Sequence, residues 1–80
     1  MFFVYILKSI RFEHYYIGHT LELNKKICQH NKKLVKSTKA YAPWKIVYTE
    51  NLPDKNSAYT RELQTKSYKH GEAFKKLINN

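Results

Sequence analysis

The sequence predicts an α+β domain in which a small three-stranded antiparallel sheet is flanked by helices, in the order ββαβαα. Three observations carry that reading. Phe2 to Ser9 and Tyr15 to Thr20 are rich in aromatic and β-branched residues, which suit a pleated, half-buried surface. Trp44 to Glu50 alternates Trp44, Ile46 and Tyr48 with Lys45, Val47 and Thr49, the period of a strand. Elsewhere apolar residues recur at helical spacing, separated by turn-forming residues.

The first two runs flank Ile10 to His14, which carries Arg11 and Glu13, so an antiparallel hairpin is the economical arrangement. Alternation puts Phe3, Tyr5 and Leu7 on one face and Val4, Ile6 and Lys8 on the other. With a turn of about four residues, Tyr5 lies opposite or diagonal to Tyr16. Gly18 weakens a strand unless a bulge, a bend or a close approach needs the missing side chain. Two phenols beside a glycine could admit a phosphate backbone; equally, tyrosines fill the edge of a small core.

Thr20 is placed to cap a helix from Leu21 to Lys33, with Leu23, Ile27 and Leu34 forming its apolar stripe. Lys26 and His30 lie one turn apart beside that stripe, within reach of the strand carrying Tyr16. Packing alone accounts for most helical histidines, and Cys28 reads as a small helical residue without an activating partner. Lys32 to Pro43 lacks periodicity and reads as a surface loop with mobile ends, whose Lys33, Lys36 and Lys39 suit contact with phosphates. Pro43 marks the start of the Trp44 strand.

Asn51 to Asn56 is a turn cluster around Pro53 and Asp54. Ser57 then caps a second helix from Ala58 to His70, and Gly71 stands where a helix stops. Ala58, Glu62, Thr65 and Lys69 share a face of it, beside Tyr59 and Leu63. Glu62 is an isolated acid there, or else an exposed partner of Lys66 in a pair worth about 0.2–0.5 kcal/mol. A short third helix, Glu72 to Ile78, sends Phe74, Leu77 and Ile78 to the core.

Eighty residues suffice for one domain, 1–80, with a modest core. A single cysteine excludes an internal disulfide and a four-cysteine zinc site, and points to a reducing, cytoplasmic setting. Phe2 to Leu7 is too short to cross a bilayer and no basic region precedes it, so neither an anchor nor a signal peptide is expected. Fifteen Lys and Arg against six Asp and Glu leave a net charge of +9, which attracts polyanions with salt-dependent affinity. No segment pairs a basic face with a broad apolar one, which disfavours a membrane surface.

Val4-Tyr5-Ile6 and Tyr16-Ile17-Gly18, eleven residues apart from tyrosine to tyrosine, resemble the two motifs of the GIY-YIG endonuclease superfamily. The likeness continues through Thr20, Leu23, His30 and Asn31, then Pro43-Trp44-Lys45-Ile46-Val47-Tyr48, and then Ala58 with Arg61-Glu62. It is greatest to small single-domain bacterial members related to the nuclease module of the excision-repair incision subunit. The resemblance implies hydrolysis of DNA phosphodiesters, in repair or recombination, with one Mg2+ or Mn2+ held by Glu62. It implies Tyr5 as the phenol that activates water and Tyr16 as the phenol that orients water or phosphate. It implies His30 beside both tyrosines and Lys26 as phosphate contact, with Gly18, Lys25, Lys33, Lys36 and Lys39 as further candidates for nucleic-acid contact.

A phenol that titrates near pH 10 is a poor base at neutral pH, so positive charge from Lys26, His30 and the ion is expected to lower that value. The chain departs from the family pattern in three places. Phe3-Val4 replaces Gly-Ile before the first tyrosine, no late asparagine has a secure match, and Lys26 stands where the family has a catalytic arginine. Lysine offers one flexible point charge where arginine offers a planar fork. A nucleic-acid-binding module without turnover is therefore the alternative function, and an RNA-directed protein a third. Since no recognition helix is evident, a targeting partner or a homodimer would supply specificity.

Overall fold

The computed structural model describes residues 1–68 and 71–79. Strands β1 (Phe2–Ser9), β2 (Tyr15–Thr20) and β3 (Trp44–Leu52) form one antiparallel sheet in the order β2-β1-β3. Helices α1 (Leu23–Asn31), α2 (Lys55–Lys66) and α3 (Glu72–Asn79) complete the expected ββαβαα order. Among the described residues no helix is long and apolar enough to cross a membrane.

β1 is the middle strand, and Val4, Tyr5, Ile6 and Leu7 are all buried. The sequence suggested a half-buried strand; helices on both faces of the sheet bury its centre on both sides instead, leaving Phe2, Phe3 and Lys8 partly exposed. Tyr5 pairs with Gly18 and Leu7 with Tyr16, so the two phenols are diagonal neighbours, as a four-residue turn requires. One core gathers Tyr5, Leu7, Ala42 and Trp44 with Tyr16, Leu23, Ile27 and Tyr41. On the other face Val4 and Ile6 lie beside His19 and Ile17, and α2 covers β2 and β1 with Ala58, Glu62 and Thr65 buried. Phe74 of α3 is buried edge-on to Tyr15, ring centres 5.1 Å apart.

β3 breaks the regular alternation read from its sequence. A bulge pairs Tyr48 with Ile6 but Ile46 with Leu7, so Val47 is extra and the side-chain order inverts there. Trp44 thereby joins Tyr5 and Leu7, whereas Tyr48 joins Glu50 beneath α2.

The helix ends also differ from the sequence reading. α1 begins at Leu23 rather than Leu21, because Thr20 Oγ1 accepts the Glu22 N–H at 3.2 Å and forms a turn ahead of the helix. It stops at Asn31, where Lys33 at φ 63° lets its N–H reach His30 O (3.1 Å) and the Leu34 N–H reach Gln29 O (3.0 Å). That paired closure usually employs glycine, and a lysine there costs roughly 1–2 kcal/mol. Leu34 consequently leaves the stripe and is 69% exposed. α2 is capped by Asp54, whose carboxylate accepts the Ser57 N–H at 2.8 Å; Ser57 is inside the helix rather than its cap. The expected helical residues Lys69 and His70 lie outside the described residues.

The connector from Lys32 to Pro43 is tied down rather than loose. It contains a 3₁₀ turn, Lys39–Tyr41, and buries Thr38 and Ala42. The Trp44 indole donates to Thr38 O at 3.0 Å, while Asn31 Oδ1 accepts the Trp44 N–H at 2.6 Å and Nδ2 donates to Trp44 O at 3.2 Å. One asparagine thus fixes the end of α1 to the start of β3.

Gly18 is required by the same packing. A Cβ there would lie 2.8 Å from Tyr5 Oη, 3.0 Å from its Cζ and 3.1 Å from Tyr16 Cε2. The space that glycine leaves is filled by the Tyr5 phenol, so the close approach is intramolecular. Gly18→Ala is expected to destabilise the fold by about 1–3 kcal/mol, with partial recovery when Tyr5→Phe is added. Urea denaturation reads both; an unchanged midpoint for Gly18→Ala would mean that the phenol moves aside freely.

Candidate active site

Tyr5, Tyr16, Lys26 and His30 converge on the α1 side of the sheet. Tyr5 and His30 are buried, and the Tyr5 hydroxyl lies 3.1 Å from His30 Nε2. His30 Nδ1 lies 2.7 Å from Thr38 Oγ1, and that hydroxyl donates to Val35 O at 3.4 Å. With the Thr38 proton committed, its oxygen accepts from Nδ1–H, and Nε2 is left to accept the Tyr5 proton. The Tyr16 ring centre lies 6.3 Å from that of Tyr5 and 5.0 Å from that of His30. Lys26, half-buried, is one turn before His30 on α1.

Electrostatics favours the neutral forms of Tyr5 and His30. Burial pushes the Tyr5 phenol well above its ordinary value, with further upward contributions from Tyr16 and then the Glu62 carboxylate. Burial, followed by the Lys26 ammonium, lowers the His30 imidazole below its ordinary 6.5. The expectation that nearby cations depress Tyr5 is therefore reversed in the protein without metal. Loss of water around the central strand dominates, and the lysine field falls on the imidazole.

Glu62 stands apart from the other four. It lies on α2, with Oε1 2.6 Å from His19 Nδ1 and Oε2 2.7 Å from Lys66 Nζ. His19 pairs with Val4, so its side chain is on the sheet face opposite Tyr5, Gly18 and Tyr16. The five residues that the resemblance groups into one site therefore divide between the two faces of the sheet: Tyr5, Tyr16, Lys26 and His30 on one, Glu62 on the other. β2 is an edge strand, and the Glu62 carboxylate is near enough to contribute to the upward shift of the Tyr5 phenol. Lys66 does pair with Glu62, as one reading of the sequence had it, but the acid is 9% exposed rather than on the surface.

Arg61, the residue before Glu62, fastens α2 to the sheet. Arg61 Nε donates to Glu50 Oε1 at 3.0 Å, and the Tyr48 hydroxyl donates to the same oxygen at 2.6 Å, which ties α2 to β3. Lys25, Lys33, Lys36 and Lys39 are exposed, and Lys25 lies 3.6 Å from Glu22. Thr20, Glu22, Lys25, Lys26 and Gln29 line an open polar depression of about 200 Å³ along the start of α1. Among the described residues no three His, Cys, Asp or Glu side chains gather as a metal cluster.

Two residues of the site were not singled out from the sequence. His19 was legible in principle, since a buried acid on a helix needs a donor and strand alternation turns His19 toward that helix. Thr38 had no such signal, because the fold of the connector alone brings it to His30. The burial of His30 gives a pH dependence. Between pH 6.5 and the lower titration point of folded His30, the unfolded chain takes a proton that the buried imidazole refuses. Stability therefore falls as pH is lowered from about 7 to 5. His30→Gln should flatten this fall in urea denaturation at the two pH values, and equal slopes would contradict it.

Residues 1–75 match the family model described as the GIY-YIG catalytic domain. UPF0213 proteins of two Staphylococcus epidermidis strains are each 33% identical to this chain over 76 residues, covering 94% of it and 92% of their own length. The solution NMR structure of a UPF0213 protein from Bacillus halodurans is similar with a TM-score of 0.50 and 30% identity, covering 84% of this chain and 72% of that one. Motif, fold and relatives agree, and the chain belongs to the GIY-YIG family.

Proposed function

We propose that this domain is a metal-dependent endonuclease that cuts DNA at the outer edge of β2. The observation that carries the reading is the hydrogen-bonded run from Tyr5 through His30 to Thr38, beside Tyr16. A buried phenol bonded to a neutral imidazole is a proton relay: a proton taken up at the phenol oxygen from an attacking water is matched by loss of the phenol's own proton to Nε2. The phenol therefore never has to persist as a phenolate, while burial and the Lys26 ammonium make His30 a weaker proton acceptor than an ordinary imidazole. Tyr16 orients water or phosphate next to that oxygen, and Lys26 supplies a cationic contact.

Glu62 suits a divalent ion of the Mg2+ type. Its carboxylate already holds a cation, the half-exposed Lys66 ammonium, while His19 orients the other oxygen. One carboxylate suffices where water and substrate phosphate complete the shell. Such an ion would supply charge neutralisation at the phosphate. Lys66→Met should tighten Mn2+ binding about two- to fivefold by removing the internal competitor, and Glu62→Gln should abolish it, both read as free Mn2+ by electron paramagnetic resonance. Unchanged affinity in Glu62→Gln would place the ion elsewhere.

A nucleic-acid-binding module without turnover is the second reading, favoured by one observation. Lys26 occupies the position of the family arginine and cannot hold two phosphate oxygens at once. Cleavage of flapped, branched and duplex DNA with Mg2+ or Mn2+ decides between them. For a nuclease, Glu62→Gln should lose at least about 10²-fold in rate and Lys26→Arg should gain about tenfold or more. If both the wild type and Lys26→Arg leave all three substrates intact, the domain binds without cutting.

A further inference from the structure

The tip of the β1–β2 hairpin carries a group of rings that the proposed chemistry does not use. Ile10 and Phe12 are 61% and 51% exposed. His14, also exposed, lies parallel to Tyr41 with ring centres 3.8 Å apart and an interplanar angle of 9°. Phe12 meets Tyr41 edge-on at 5.6 Å, and buried Trp44 lies beneath, 6.1 Å from His14.

This tip is held in place by more than contact between rings. Ser9, 1% exposed, donates from Oγ to Tyr41 O at 2.7 Å and accepts the Phe12 N–H at 3.2 Å. The Ser9 N–H donates to His14 O at 2.9 Å, and the Ile10 N–H to Pro43 O at 3.0 Å. A buried hydroxyl and backbone bonds therefore lock the hairpin tip to the 3₁₀ turn. The result is a pre-shaped aromatic surface that adds little to the core, because its outer rings remain in water.

The charges around it select the partner. Arg11, between Ile10 and Phe12, and Lys39, at the start of the 3₁₀ turn, are both exposed. The acid of the tip, Glu13, lies 3.4 Å from Lys8 and is offset by it. Rings bordered by cations suit a polyanion with exposed π-faces, and an unpaired nucleic-acid strand has both. A closed duplex hides its bases and offers nothing to stack.

We propose that the tip formed by Phe12, His14 and Tyr41 is a stacking platform for unpaired bases, so that the domain prefers substrates with a single-stranded stretch. This rests on the nucleic-acid reading above. The test is fluorescence anisotropy in EDTA, with a labelled oligothymidine and a blunt duplex as probes. Phe12→Ala and His14→Ala should each weaken oligothymidine binding about five- to tenfold and leave the duplex within twofold, and Phe12→Trp should restore binding. Equal weakening on both probes, or none on oligothymidine, overturns the platform while nucleic-acid binding stands. A change in sedimentation with unchanged binding reassigns the tip to contact between proteins. A wild type that binds neither probe overturns the nuclease reading as well.

Discussion

The Tyr5 hydroxyl sets the terms for most of this structure. It lies in the centre of the sheet, over the place where residue 18 would carry a Cβ, and a phenol so far from water must find a partner. His30 provides it, which requires α1 to end where its last turn overlies β1 and β2. The imidazole is itself buried and needs a second partner, so the connector must turn back to present Thr38. Asn31 and Trp44 then hold that connector against the start of β3. A glycine, a strained helix end and an ordered loop all follow from one buried polar group. The spacing of the two tyrosine motifs is a statement about that hydroxyl and its glycine.

Much of the architecture was legible in the sequence, because it rests on local signals. Two β-rich runs around a charged break give a hairpin, and the length of the break fixes Tyr5 diagonal to Tyr16. What escaped depends on competition between distant parts. Asp54 outcompetes Ser57 as cap because its carboxylate reaches the Ser57 N–H itself. The bulge at Val47 sends Trp44 and Tyr48 to opposite faces, which no period-two pattern reveals. Lys32 to Pro43 has no periodicity, yet it is ordered by groups that are remote in sequence. The candidate site divides the same way. Tyr5, Tyr16 and His30 meet as their positions suggest, whereas the face from which Glu62 arrives depends on how α2 packs, and periodicity does not report that.

That packing is unusual in relying on charge. α2 is polar along most of its length, and two acid-centred groups fasten it: Glu50 with Arg61 and Tyr48, and Glu62 with His19 and Lys66. Ala58 and Thr65 supply small contacts between them. A buried carboxylate held by a histidine and a lysine is expensive to desolvate and contributes more to position than to stability. Position is also what the proposed single-carboxylate ion site would require.

Lys26 links the two halves of this picture. Its ammonium lies near enough to His30 to oppose a second positive charge, and so favours the neutral imidazole that can accept from Tyr5. An arginine at the same position would exert much the same long-range field, because both side chains carry one charge near neutral pH. The two differ at the phosphate, where the guanidinium holds two oxygens in a fixed fork and the ammonium touches as a mobile point. Under the proposed function, the exchange leaves the Tyr5–His30 hydrogen bond in place and weakens the grip on the phosphate. A domain altered in this way keeps its fold, its hydrogen-bonded Tyr5–His30 pair and its net positive charge, and in the proposed reaction the departure from the family arginine bears on the step in which phosphate charge develops.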